Sequence, residues 1–234
     1  MHDTVVLDVD GTLVDTNYHH VIAWDRAFRE YDVSVPLWRV HRAIGMGGDR
    51  LVAHVAGEDV EQQQGDRVRD RWEHEFDQLI GEVRAVDGAR ELLTAVKDRG
   101  MSLVLASSGK QKHVDAYLDL LDGRTVADAW TTSDDVDDSK PAPDLLQVAI
   151  DKVSGTSAIK VGDSVWDCRA ADEAGVPAVG VLTGGFSREE LLDAGATRVF
   201  TSLAELQQCL DSVVEVGRAC TTLRQPSSFF WNSS

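Results

Sequence analysis

The stretch "LDVDGTLVDTNYHH" (7–20) sets two acids, Asp8 and Asp10, into an apolar run that otherwise reads as a buried strand, with a Gly-Thr turn directly after it. An uncompensated buried carboxylate is expensive, so this strand end must meet a compensating partner. Along an extended strand, residues i and i+2 share a face, which aims both carboxylates at one small volume. Two bare carboxylates there repel, and one takes up a proton unless a cation lies between them. Mg²⁺ suits oxygen ligands and phosphate substrates.

Outward from this stretch, "TVVLDVD" (4–10) is the first predicted strand, and a helical period runs from about Tyr18 to Tyr31. Residues 36–82 carry more helix, including "VEQQQGDRVRDRWEHEFDQLI", with a Gly-rich break at "GMGG" (45–48) and no strand pattern. After "VRAVDGA", helix and strand alternate: "ARELLTAVKDRG", "SLVLASS", "KQKHVDAYLDLL", "DAWTTSD", "PAPDLLQVAIDKV", "AIKVGDS", "VWDCRAADEAG", "PAVGVLTGG", "SREELLDAG", "RVF" and "SLAELQQCLDSVVEV". Such alternation means an α/β fold with a doubly wound parallel sheet covered on both faces. The expected division is a core domain from residues 1–15 and 83–216 and an inserted α-helical cap from 16–82. Residues 217–234 have no period and read as a disordered tail, or one foreign to the native frame.

In open parallel sheets the ligand site lies beyond the carboxyl ends of the strands. There the sequence places "DVDGT", then "ASSG", then "SKPAP" before a helix, then "VGDS". Asp163 is positioned to complete a cation site with Asp8 and Asp10, and Asp167, one helical turn on, to support it. Ser107 and Ser108, with Gly109, offer hydroxyls and N–H groups to an anion. Lys140, fixed by the prolines after it, offers a point charge for phosphate. Singly, an Asp before a helix is an N-cap, a serine after a strand is a loop residue and a lysine is a solvated charge; the spacing of the whole set carries the reading. A carboxylate beside Mg²⁺ and a phosphoryl group is a nucleophile, and a second carboxylate two residues on can move the proton. The residues therefore suggest Mg²⁺-dependent phosphoryl transfer through a covalent intermediate.

Composition narrows the partners. With 43% hydrophobic and 27% charged residues the chain of 234 reads as an ordinary folded domain, and no stretch approaches the length of a membrane span. A net charge of -17 argues against nucleic acid or an anionic membrane as partner. Of only six lysines, Lys110, Lys112 and Lys140 fall in the two segments assigned to phosphate, which points to a small phosphorylated metabolite. The strand-like run begins almost at once, so no signal peptide is expected, and Cys168, Cys209 and Cys220 read as free thiols of a cytoplasmic protein.

These four signals, in this order, resemble the haloacid dehalogenase (HAD) superfamily of phosphohydrolases, over roughly residues 4–216. The resemblance implies that Asp8 is nucleophile and metal ligand, and that Asp10 is general acid/base with its backbone carbonyl on Mg²⁺. It implies that Thr12 orients the Asp10 side chain, that Ser107 and Lys140 bind the phosphoryl group, and that Asp163 and, less directly, Asp167 serve the metal. The helical insertion is similar to the small caps of beta-phosphoglucomutase-like and phosphoglycolate phosphatase-like members, with His20 and Arg50 as candidate substrate contacts. Trp24 and Trp166 read as packing. The expected activity is phosphomonoester hydrolysis through an aspartyl-phosphate; the rivals are a sugar-phosphate mutase and a non-catalytic phosphate- or partner-binding module. The resemblance also includes phosphonatase-like members that form a Schiff base on a cap lysine; that reading fails here, because no lysine precedes Lys97.

Overall fold

The computed structural model describes residues 2–135 and 142–215. In chain order the elements are β1 (Thr4–Asp8), α1 (Asn17–Glu30), α2 (Leu37–His41), α3 (Gly48–Ala56), α4 (Glu58–Leu79), α5 (Ala89–Asp98), β2 (Ser102–Ala106), α6 (Gln111–Leu121), α7 (Gly123–Val126) and β3 (Ala129–Thr131). There follow α8 (Asp144–Lys152), β4 (Ala158–Gly162), α9 (Val165–Glu173), β5 (Ala178–Val181), α10 (Arg188–Asp193), β6 (Ala196–Phe200), α11 (Leu203–Gln208) and α12 (Leu210–Val214).

The six strands form one parallel sheet in the order β3-β2-β1-β4-β5-β6. The chain builds outward from β1 to β3, then returns to lay β4 on the other side of β1. That reversal opens a crevice at the carboxyl ends of β1 and β4, where doubly wound sheets bind ligands. Strand alternation fixes what faces what. Val5 and Leu7 join Leu103, Leu105, Ile159 and Val161 in a core under α5, α6, α11 and α12. Val6, Val104 and Ala106 face the opposite way, against α8, α9 and α10 through Leu146, Ala149, Ala171 and Leu191.

Helices α1 to α4 gather a third apolar cluster of their own, with Val21, Trp24, Phe28, Val40, Leu51, Val52, Val55 and Val68. Helix α4 also sends Phe76 and Leu79 into the main core. Its 22 residues run unbroken through Gly65, where the Glu61 carboxylate of the preceding turn occupies the space a Cβ would take.

Two expectations need correction. The stretch "SLAELQQCLDSVVEV" is two helices, since Cys209 leaves the helical region (φ -100°, ψ 6°) and its N–H is shared between Glu205 and Leu206. The "GMGG" break falls as expected, between α2 and α3, with Gly48 opening α3. Cys168 is the buried free thiol expected of it, but Cys209 is disulfide-bonded rather than free. Cys220 and the tail 217–234 lie outside the described residues. Among the described residues no helix is long and apolar enough to cross a membrane.

Candidate active site

Strand β1 delivers Asp8 to the crevice at its last residue, opposite Ala106 of β2. Asp163 follows β4 directly, and Asp167 comes from the first turn of α9. Carboxylate oxygens of these three buried acids lie within 4.8 Å of one another. The backbone makes room for them. A Cβ on Gly162 would collide with the Asp167 side chain, and one on Gly184 would overlap the Asp163 carboxylate. Asp167 is fixed twice by Ser164, which receives the Asp167 N–H at 3.2 Å and donates to Asp167 Oδ2 at 2.6 Å.

Asp163 shows what the cluster needs. Burial, then the neighbouring Asp8 and Asp167 carboxylates, push it up to about 8, against the pull of hydrogen bonds from Asn17 and Thr12. A divalent cation among the three acids relieves that repulsion, and an all-oxygen donor set suits Mg²⁺.

The carboxylate of Asp10 departs from the shared-face expectation. Strand β1 ends at Asp8, so the i, i+2 rule no longer applies at Asp10, and its side chain turns away from the triad. Ser107 Oγ donates to Asp10 Oδ2 at 2.9 Å, and His20 Nε2 lies 3.1 Å from Asp10 Oδ1. Burial alone would raise Asp10; the hydrogen bonds of His20 and Ser107, the His20 charge and the nearby Tyr117 hydroxyl outweigh it and bring it down to about 2. Its side chain is therefore not a member of the metal cluster. Thr12 also differs from expectation, donating to Asp163 Oδ1 at 2.8 Å and lying 3.4 Å from Asp8 Oδ2, with no bond to Asp10.

Asp8, Asp10, His20, Ser108 and Gly109 line a small cavity of about 70 Å³ with Trp24, Trp72 and the "GMGG" loop. Gly47, Gly48, Trp72 and Ser108 are shared with a larger cavity of about 600 Å³, walled also by Asp49, Asp66, Arg69, Asp70, Lys110 and Ser133. His20 thus reaches the site, stacked 4.0 Å from the Phe76 ring of α4. Arg50 does not line either cavity and lies 3.8 Å from Asp49; Arg69 is the arginine of the larger one. Lys110 and Lys112, expected near the phosphate segments, are each paired with acids of α4, while Lys110 also lines the larger cavity. Lys110 pairs with Glu73, Lys112 with Glu73 and Asp77 at 2.6 Å, and buried His113 with Asp77 at 2.8 Å, so the start of α6 is tied to α4. Lys140 lies outside the described residues.

Two residues of the site escaped the sequence. Asn17, buried at the start of α1, donates from Nδ2 to Asp163 Oδ2 at 2.9 Å and to the Gly184 carbonyl at 3.1 Å. Lys160, buried in β4, places Nζ 3.2 Å from Asp167 Oδ1 and 3.7 Å from Asp8 Oδ1. Its signal was a lysine inside the apolar strand "AIKVG", the counterpart of the acids in "VLDVD".

A doubly wound sheet gathers at its switch point an acid triad that could hold a cation, a separately held carboxylate and hydroxyls that could meet an anion. The family model of the haloacid dehalogenase-like hydrolases matches residues 5–181, and the chain belongs to that family. A phosphoglycolate phosphatase of Rhodospirillum rubrum is 32% identical over 222 residues, covering 88% of this chain and 90% of that one. A validoxylamine A 7'-phosphate phosphatase of Streptomyces hygroscopicus subsp. limoneus is 27% identical over 197 residues, covering 78% and 87%. Among solved structures, a hydrolase from Pseudomonas syringae superposes with a TM-score of 0.85 at 30% identity, covering 91% of this chain and 99% of that one. The chain is accordingly an enzyme, a HAD-like hydrolase whose named relatives are phosphatases.

Proposed function

We propose that the protein hydrolyses a small phosphomonoester with the help of Mg²⁺, through a phosphoryl group carried transiently on Asp8. One observation carries the reading: Asp8 belongs to a buried acid triad, while Asp10, held apart by His20 and Ser107, lines the same small cavity. Asp8, Asp163 and Asp167 would hold Mg²⁺, which supplies charge neutralisation to the phosphoryl oxygens when bound.

An Asp8 oxygen attacks phosphorus, the ester P–O bond breaks, and Asp10 gives its proton to the departing oxygen. Water then attacks the phosphoaspartate, Asp10 takes the water proton, and the Asp8 carboxylate and inorganic phosphate are released. In the free protein Asp10 is a carboxylate, the state that accepts the proton of water. A phosphoryl dianion beside it raises its proton affinity by like-charge repulsion, which suits it to donate in the first step. Ser107, Ser108 and Lys140 are proposed to meet the phosphoryl oxygens; Ser108 lines the small cavity, and the Gly109 N–H donates to Ser107 Oγ at 3.0 Å and steadies that hydroxyl. Helices α1 to α4, residues 16–82, serve as the cap over this site, and the larger cavity receives the leaving group.

The testing experiment measures inorganic phosphate release from a panel of sugar phosphates, phosphoglycolate and p-nitrophenyl phosphate, with Mg²⁺ and with chelator. Turnover with Mg²⁺ only supports the reading; glucose 6-phosphate formed from beta-glucose 1-phosphate without phosphate release would replace it with a mutase.

A further inference from the structure

Lys160 is the residue of the site that phosphoryl transfer did not demand in advance. It sits mid-strand in β4, paired with Val6 of β1 and Ala178 of β5, and is only 2% exposed. Both partners belong to the core on the α8–α10 side, so the lysine stem enters that face. There it runs among Ala106, Leu145, Leu146 and Ala170. Asp8 lies two residues beyond Val6, on the same face and one pleat repeat higher, about 7 Å along the strand. A lysine stem spans that height, and its ammonium arrives 3.7 Å from Asp8 Oδ1 and 3.2 Å from Asp167 Oδ1. An ammonium in an apolar strand is tolerated only when paired, and here both partners are acids of the proposed metal cluster.

We propose that Lys160 is a built-in counter-ion and positioning residue of the metal site. The three acids accumulate negative charge in one small volume, and Lys160 offsets part of it from the sheet side, leaving the crevice side to the metal. The same contact fixes the nucleophile. Asp8 Oδ1 faces the ammonium and Oδ2 faces Thr12, which together set the rotation of the carboxylate. The inference rests on the metal site of the proposed function, and its test reads metal binding apart from turnover.

The test is calorimetric titration of the full chain with Mg²⁺, comparing wild type with Lys160→Met and Lys160→Gln. Removing a fixed positive charge beside the cluster should tighten Mg²⁺ binding on the order of tenfold. Meanwhile kcat for p-nitrophenyl phosphate at saturating metal should fall about tenfold or more, with KM moving less. Unchanged or weaker Mg²⁺ binding in a folded variant overturns the proposal, because a purely structural lysine gives that result. So does a wild-type protein that binds no Mg²⁺. If both variants fail to fold, the wild type still decides: its Lys160 ¹⁵Nζ resonance, assigned with Lys160→Arg, should shift on adding Mg²⁺, and an unmoved signal overturns the idea. Metal binding that follows these expectations in a protein without phosphatase turnover would sink the proposed function and leave this inference standing.

Discussion

The side-chain amide of Asn17 joins the first residue of α1 to the acid triad, donating to Asp163 Oδ2 at 2.9 Å and to the Gly184 carbonyl at 3.1 Å. It couples the helix that leaves the sheet to an acid that needs help to ionise. Asn17→Leu should therefore weaken Mg²⁺ binding about tenfold or more and cost about 1–2 kcal/mol of stability. Calorimetric metal titration and denaturant unfolding measure the two effects, and wild-type affinity would remove Asn17 from the site.

Asp8→Asn keeps the shape of the side chain and removes the nucleophile. Turnover should fall at least about a thousandfold while circular dichroism and the unfolding midpoint show an intact fold. Substantial residual activity would mean that the phosphoryl group travels without visiting Asp8.

Asp163 predicts a pH dependence whose sign is fixed. In the unfolded chain a carboxyl ionises near 4, whereas in the folded, metal-free protein Asp163 holds its proton up to about 8. Between those values the folded state binds more protons, so this group makes stability fall as pH rises. His41 and His113, lowered chiefly by burial, act in the opposite direction below their ordinary range. The interval from pH 7 to 8 therefore isolates Asp163. With chelator, the wild-type Tm should decline across it and that of Asp163→Asn should not. Mg²⁺ should abolish the decline, and its binding should tighten toward pH 8 as the proton is displaced.

His20→Phe keeps the ring stack on Phe76 and deletes the hydrogen bond to Asp10. Burial then acts with less opposition, and the Asp10 carboxyl should titrate on the order of one unit higher than in wild type. Carboxyl ¹³C titration of the two proteins reads this directly. An unmoved Asp10 would show that Ser107 and Tyr117 hold it low without the histidine.

Gly184→Ala places a methyl group where the Asp163 carboxylate lies. Either the carboxylate or the one-turn segment Leu182–Gly184 must move. The expected cost is about 1–3 kcal/mol together with loss of measurable Mg²⁺ binding. Retained metal affinity would show that Asp163 can be held elsewhere.

Much of the fold was legible because it rests on local periodicity. All six strands appear where apolar runs end in small or acidic residues, and the helical stretch after β1 has no strand in it. The acid triad was legible for a related reason: Asp8 and Asp163 end strands, and in a parallel sheet strand ends meet at one edge. What spacing could not carry was side-chain direction past a strand end. Asp8 and Asp10 share a face only while the chain stays extended, and β1 stops between them. Nor did it show which basic groups were already engaged. Lys110 and Lys112 stand near the phosphate loop in sequence, yet Glu73 and Asp77 of α4 claim them.

The sequence by itself determined the alternation of strand and helix, the strand order's parallel sense and the identity of the acids in "DVDGT" and "VGDSVWD". Those features depend on residues close together in the chain. The tertiary structure alone decided the electrostatics of the site. Asn17, Lys160, His20 and the shape-making glycines come from separate segments. Only the reversal that lays β4 beside β1 brings the buried Lys160 ammonium up to Asp8 and leaves Asp10 to a different set of partners.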